Sequence, residues 1–260
     1  VSRSLDSLLP ALVGLAGLAA WEAAVRIADI PPYELPAPSA IALELVTDGD
    51  LLGRALLFTL ATTALALAAA VLGAGALAIM FAQSRLLERS LFPYAIVLQV
   101  TPIVAVAPLI IIWVDNTLVA LLICAWIVAF FPILSNTLIG LKSTDRNLVA
   151  LFKIYGASRW QELRLLRLPS AMPFFLAGLR ISGGLSLIGA VVAEFVAGAG
   201  GRESGLAYRI LEAGYRLEMP RMFAALFLIS AVGVAIYLSL AALSDRLLRH
   251  WHESATRDEE

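Results

Sequence analysis

Cysteine occurs once and histidine twice in these 260 residues, and charged side chains make up only 15% of them. A lone Cys124 inside an apolar run allows neither an intrachain disulfide framework nor a thiolate metal site, and it reads as a small buried hydrophobe. His250 and His252 stand in a polar tail and form no His-Glu-x-x-His pair. No G-x-x-x-x-G-K-[ST] loop is present, since GAGGRESG carries no lysine after its glycines, and no G-x-S-x-G elbow occurs. Metal, nucleotide-hydrolysis and nucleophile chemistry therefore have no motif here, and no catalytic residue, metal site or cofactor is expected on this chain.

What the chain does have is apolar length. Hydrophobic residues make up 60% and the mean hydropathy is +0.87, too greasy for a soluble domain of this size. A spanning helix needs roughly 20 apolar residues, and six stretches qualify: about 8–29, 53–82, 88–113, 117–141, 172–199 and 221–247. Strict alternation is absent and Ala, Leu and Gly dominate, so the expected class is an all-α membrane protein of about six transmembrane helices. The first apolar stretch is longer than a signal h-region and reads as a retained helix.

Charge placement gives the orientation. With the N-terminus inside, the inner segments hold twelve Lys and Arg and the outer ones five, so both termini are expected in the cytoplasm. The first outer segment, PPYELPAPS, should run extended and turn at Ser39, as N-cap, into a short helix. Pro93, Pro102 and Pro108 fall in the third span, with Thr101 and Pro102 at its centre; either the span bends and lines something, or neighbouring helices simply accommodate the kinks. The fifth span carries Gly178, Gly183, Gly184, Gly189, Ala190, Ala193 and Gly198, the small residues that let helices approach closely. After it come a glycine turn and a short amphipathic helix, with Leu206, Ile210, Leu211 and Tyr215 on its apolar face.

Charges inside spans are costly unless paired or hydrated. Glu22 and Arg26 are four apart and should pair on one helix face. Arg180 and Glu194, 14 residues apart, are separated by about 21 Å of helix and cannot meet. Each is either a lining residue of a hydrated path or a satisfied packing residue.

The segment 142–170 is the most informative. Leu148, Leu151, Phe152 and Tyr155 recur at helical spacing; Gly156 interrupts; Trp160, Leu163 and Leu166 form a second apolar set; Pro169 should stop the helix, with Ser170 capping the next one. Two readings are open from pattern alone. The segment lies on the membrane with Trp160 as interfacial anchor, or it docks a cytoplasmic partner.

Gly156, nine residues, then Leu166-x-Leu168-Pro169 resembles the EAA loop of permease subunits of type I ABC importers, whose pattern is Glu-Ala-Ala, three residues, Gly, nine residues, Ile-x-Leu-Pro. Here Ala150-Leu151-Phe152 occupies the Glu-Ala-Ala positions and Leu166 the Ile position. LPAPSAI (35–41), TPIVAVAPLIIIW (101–113) and AEFVAGAGGRESGLAYRI (193–210) resemble the nitrate/sulfonate/taurine branch, which also includes carriers of pyrimidine precursors.

The resemblance implies the type I importer permease fold in a bacterial inner membrane. It implies a homodimer with a second copy, two cytoplasmic ATPase subunits that hold ATP and Mg, an extracytoplasmic binding protein, and lipid around the spans; nucleic acid is not among the partners. Gly156, Ala157, Ser158, Arg159 and Trp160, with Leu163, Leu168 and Pro169, would form the ATPase-coupling element. Thr101, Pro102, Arg180 and Glu194 are the candidates for the path of a small solute, anionic or pyrimidine-like. The expected organisation is a first helix and outer segment (1–50), a core permease domain (51–250) and a cytoplasmic tail (251–260). An ion-coupled secondary transporter and a membrane scaffold recruiting a cytoplasmic protein are the alternatives; the former should show internal repeats, and none is visible.

Overall fold

The apolar stretches become helices because a bilayer leaves each backbone to satisfy its own hydrogen bonds. The structure, a computed structural model, describes residues 3–198 and 204–248. The glycine turn (199–203), His250, His252 and the tail (251–260) lie outside the described residues. In chain order the helices are α1 (Arg3–Ile27), α2 (Pro38–Thr47), α3 (Gly49–Gln83), α4 (Arg85–Val100), α5 (Ile103–Trp113), α6 (Thr117–Lys142), α7 (Arg146–Ile154), α8 (Arg159–Glu162), a π turn (Leu163–Arg167), α9 (Leu168–Ala197), α10 (Leu206–Tyr215) and α11 (Met219–Leu248). Among the described residues five helical rods are long and apolar enough to cross a membrane, and α4 with α5 forms a sharply bent apolar pair, a broken span or a re-entrant loop, which makes six when it counts as one span.

The break in that span is sharper than a kink. α4 and α5 meet at 102°. Of the three prolines, Pro93 and Pro108 stay inside their helices and only Pro102 ends one. Pro102 offers no N–H and pushes the preceding Thr101 to φ −72°, ψ 121°. The Thr101 hydroxyl donates to the Val97 carbonyl at 2.6 Å, satisfying part of the frayed end.

The chain divides into two compact units, each with its own core. One comprises residues Val1–Phe58 and Gly198–Ser230. Here Ile41, Leu52, Ala55, Leu206, Ala224 and Ala225 are buried together, with Trp21 tilted against Phe223 at 5.9 Å. Arg221 pairs with Glu44 at 3.1 Å and also with Asp48 and Glu218. The expected Glu22–Arg26 pair forms at 2.6 Å. Ser39 is not an N-cap: α2 starts at Pro38, after Ala37, two residues ahead of the start a Ser39 cap would give, and the fixed φ of proline suits a first helical position. The Ser39 amide and hydroxyl instead donate to Glu22, at 3.0 and 2.7 Å. In α10 Leu206, Ala207 and Ala213 are buried, whereas Tyr215 is 82% exposed and does not belong to the apolar face.

The other unit, Thr59–Ala197 with Ala231–Glu260, is organised by α6 against α9. Glycines set their distance. A Cβ on Gly178 would stand 2.7 Å from the Pro132 carbonyl oxygen, one on Gly189 2.8 Å from Ala125 Cα, and one on Gly140 2.9 Å from Ala171 Cα. These are backbone neighbours, which cannot swing aside. The Ser182 hydroxyl adds a hydrogen bond across the seam, to the Ala129 carbonyl at 2.6 Å. Around it Ala70, Ala74, Phe81, Phe130, Ile133, Leu134 and Leu163 close the core.

Gly184, on the same helix, has open space where its Cβ would be. Gly178→Ala should therefore destabilise the protein by about 1–3 kcal/mol through overpacking. Gly184→Ala should be neutral or stabilising, by up to about 1 kcal/mol of helix propensity. Thermal unfolding of the two variants in detergent checks the contrast; equal midpoints would show that the seam is not rigid.

Candidate functional site

The segment between α6 and α9 is built from local chemistry. Asp145 caps α7, its carboxylate accepting the Asn147 amide at 2.7 Å. Gly156 then ends α7 at φ +68°, where only glycine is unstrained. The Gly156 amide donates to the Lys153 carbonyl at 3.0 Å and the Ala157 amide to that of Phe152 at 2.9 Å, the two bonds of a Schellman stop. Ser158 starts the next helix with a capping box. Its hydroxyl accepts the Gln161 amide at 3.2 Å, and the Gln161 side chain accepts the Ser158 amide at 2.7 Å. The Ser-x-x-Gln spacing carries that signal in the sequence.

Leu168 and Pro169 do not stop this helix, and Ser170 does not cap a new one. A single rod runs from Arg159 to Ala197. The physical reason is the π turn. The Leu168 amide reaches back five residues to the Leu163 carbonyl, so the ladder slips by one just before the proline that has no donor to give. Ser170 donates its hydroxyl to the Leu166 carbonyl at 2.8 Å, and Arg167 clasps Glu162 across the turn at 2.5 Å.

The two apolar residues expected to act together point apart. Leu163 is 2% exposed and belongs to the core, whereas Trp160 is 64% exposed. Tyr155 and Ile154 are each 81% exposed, and Leu148 and Leu151 stand half out. One end of the rod is thus embedded while its tip, with α7, presents an uncovered apolar surface.

The four candidate path residues are not gathered into one cavity. Thr101 lines a cavity of about 310 Å³ beside the α4–α5 break, with Gln99, Ile103, Val128, Pro132 and Leu185. Pro102 is the break itself. Glu194 is 2% exposed and accepts the Thr59 hydroxyl at 2.8 Å. Arg180 faces α11, 3.7 Å from Asp245 and 6.0 Å from the Tyr237 ring centroid.

Comparison with known proteins identifies this architecture. Residues 72–250 match the family of binding-protein-dependent transport system inner membrane components, and the chain belongs to that family. It is a permease subunit of an ABC importer, a multi-pass membrane protein of the sulfonate/taurine-like branch, and neither an ion-coupled carrier nor a scaffold. Permease components of this family are not themselves enzymes. The chain is similar to the riboflavin transport system permease protein of Chloroflexus aurantiacus, with 36% identity over 90% of this chain and 86% of the relative. It is 31% identical to the formylaminopyrimidine transport permease protein of Halalkalibacterium halodurans, over 95% of this chain and 98% of that one. A putative aliphatic sulfonates transport permease protein of Bacillus subtilis is 30% identical over 95% and 87%. A crystal structure of an amino acid ABC transporter shares the fold, with TM-score 0.62 at 20% identity over 80% of this chain and 97% of that one.

Ser158→Ala removes the hydroxyl half of the capping box, worth about 1 kcal/mol. Amide exchange at Gln161 and Glu162, the bonded amides of that first turn, should then speed up about fivefold, while the α9 amides near Gly178 keep their protection. Hydrogen-exchange mass spectrometry reads both; uniform loosening would mean the tip is not an independent opening unit.

Proposed function

We propose that this permease couples ATP hydrolysis on a separate subunit to solute import through the rigid rod Arg159–Ala197. The observation that carries the reading is continuity: the tip at Trp160 and the glycine-lined seam at Gly178 and Gly189 lie on one uninterrupted helix. A partner that moves the tip moves the seam, because the π turn is clasped by Arg167–Glu162 and anchored by buried Leu163 and Leu166. The partner is a cytoplasmic ATPase holding ATP and Mg, which takes the exposed apolar surface of Tyr155 and Trp160. Two permease copies and two ATPases make the working assembly. A binding protein delivers solute from outside, and both termini face the cytoplasm of a bacterial inner membrane.

For the solute, we favour a neutral nitrogen heteroaromatic over an anion. The cavity at the α4–α5 break is lined by Gln99 and Thr101 among apolar side chains, with no cation among the described residues. Arg180 is partly engaged, 3.7 Å from Asp245 and 6.0 Å from the Tyr237 ring centroid, and its buried Nε has no hydrogen-bond partner among the described residues. Two relatives are named for heteroaromatic cargo, riboflavin and formylaminopyrimidine.

Gly156 has open space around its Cβ position, so a substitution there clashes with nothing and costs only backbone strain of about 1–2 kcal/mol. Gly156→Glu should insert and fold normally yet abolish both uptake and binding-protein-stimulated ATP hydrolysis in reconstituted vesicles. Normal uptake and stimulation by this variant would remove the coupling reading. Uptake of a labelled pyrimidine against a labelled sulfonate in the same vesicles decides the solute class.

A further inference from the structure

We infer that a cationic cavity beside the coupling segment binds the phosphate of an anionic phospholipid headgroup. The cavity measures about 760 Å³, within the range of ligand sites. Among the described residues six cations line it: Arg85, Arg89, Lys142, Arg146, Lys153 and Arg167. Among the described residues the only acid in the lining is Glu88. Lys142 pairs with Glu88, and Arg167 is held by Glu162. Arg85, Arg89, Arg146 and Lys153 have no ion pair among the described residues. Several like charges around one concavity repel each other, and an anion inside it relieves that repulsion. Arginine forks match phosphate oxygens in particular.

The placement of this charge is built, not scattered. Arg146, Val149, Ala150 and Lys153 recur at helical spacing and line the cavity from one face of α7. Leu148, Leu151 and Tyr155 stand outside that lining. Arg85 and Arg89 come from the first two turns of α4 and Lys142 is the last residue of α6. Phe81 and Ala82, in the last turn of α3, complete the wall. Three spans thus end at the cavity, which puts it at the depth where a bilayer turns from acyl chain to headgroup. Exposed Leu86 and Leu87 sit in the same turn of α4 as the cations and offer an apolar surface to acyl chains. Depth and this apolar flank favour a lipid over a soluble phosphate; basic pockets between spans on the cytoplasmic side are suited to such headgroups.

Ala150 sharpens the inference. It occupies the position at which the loop pattern has glutamate, and it lines the cavity. A carboxylate there would stand among the six cations and neutralise part of them. Alanine leaves the charge for an outside anion to take. The site depends on the chain lying in a bilayer and not on which solute it moves.

The test uses the purified full chain in detergent, stripped of lipid and then offered phosphatidylglycerol or phosphatidylcholine, with native mass spectrometry reading what is retained. Wild type and Ala150→Gln should keep phosphatidylglycerol in preference. Ala150→Glu should lose the preference and, without lipid, unfold at a higher temperature than Ala150→Gln. Removing Arg146 and Lys153 together should weaken retention about 25-fold, roughly fivefold per cation. Equal retention of both lipids, or Ala150→Glu behaving as Ala150→Gln, overturns the site. Displacement of the lipid by millimolar inorganic phosphate assigns the cavity to a soluble phosphate and overturns the lipid. Release of the lipid on adding the ATPase subunit assigns the cavity to that subunit's acidic side chains and likewise overturns the lipid.

Discussion

The rest of the larger unit depends on the approach of α6 and α9, backbone against backbone, at Gly140, Gly178 and Gly189. In a bilayer no hydrophobic force drives helices together, so close van der Waals contact between small residues must do it. That contact is intolerant: a main-chain atom lies within 3 Å of each missing Cβ. A rod held this tightly cannot slide or flex locally. It can only move with its partner helix as a body, which is the property a transmitting element requires.

Proline has opposite consequences at two places, and the difference is instructive. At Pro102 the chain has no device to reroute the ladder, so the helix ends and turns through 102°. At Pro169 the preceding turn has widened to the π form, the Leu168 amide has reached Leu163, and the rod continues. One proline makes a corner with a cavity beside it, and the other leaves the rod unbroken. The energetic cost of the π turn is offset by the Arg167–Glu162 clasp and by burial of Leu163 and Leu166.

Much of this was legible. Span number, the break at Gly156 and the Glu22–Arg26 pair follow from length and spacing, which act locally. What was not legible was non-local. Trp160 and Leu163 are three apart and look like one stripe, but α3 and α6 supply a core for Leu163 while Trp160 stays 64% exposed among the described residues. Ser39 looked like a cap because serine favours caps; Glu22, 17 residues earlier, claims its hydroxyl. A π turn has no residue code, so Pro169 read as a stop. The cationic cavity collects Arg85, Lys142 and Arg146 from three segments that only tertiary structure brings together.

The two faces of α7 now separate two jobs that the sequence ran together as one basic, greasy loop. In the coupling we propose, grip on a partner falls to the exposed apolar side chains of Tyr155, just past α7, and Trp160 of α8, where burial is worth ~1.5–3 kcal/mol per large side chain and needs no charge at all. Charge belongs to the other face, where Arg146 and Lys153 look into the cavity with Ala150 between them. A glutamate at 150 would tie the two faces together by giving α7 its own counter-ion. With alanine the position of α7 rests on apolar contact at one face and on whatever anion occupies the other. On the proposed readings, the tip is displaced with α8 and the rod without breaking an ion pair at position 150, and the anionic lipid of the surrounding membrane bears on the segment that we propose as the coupling element.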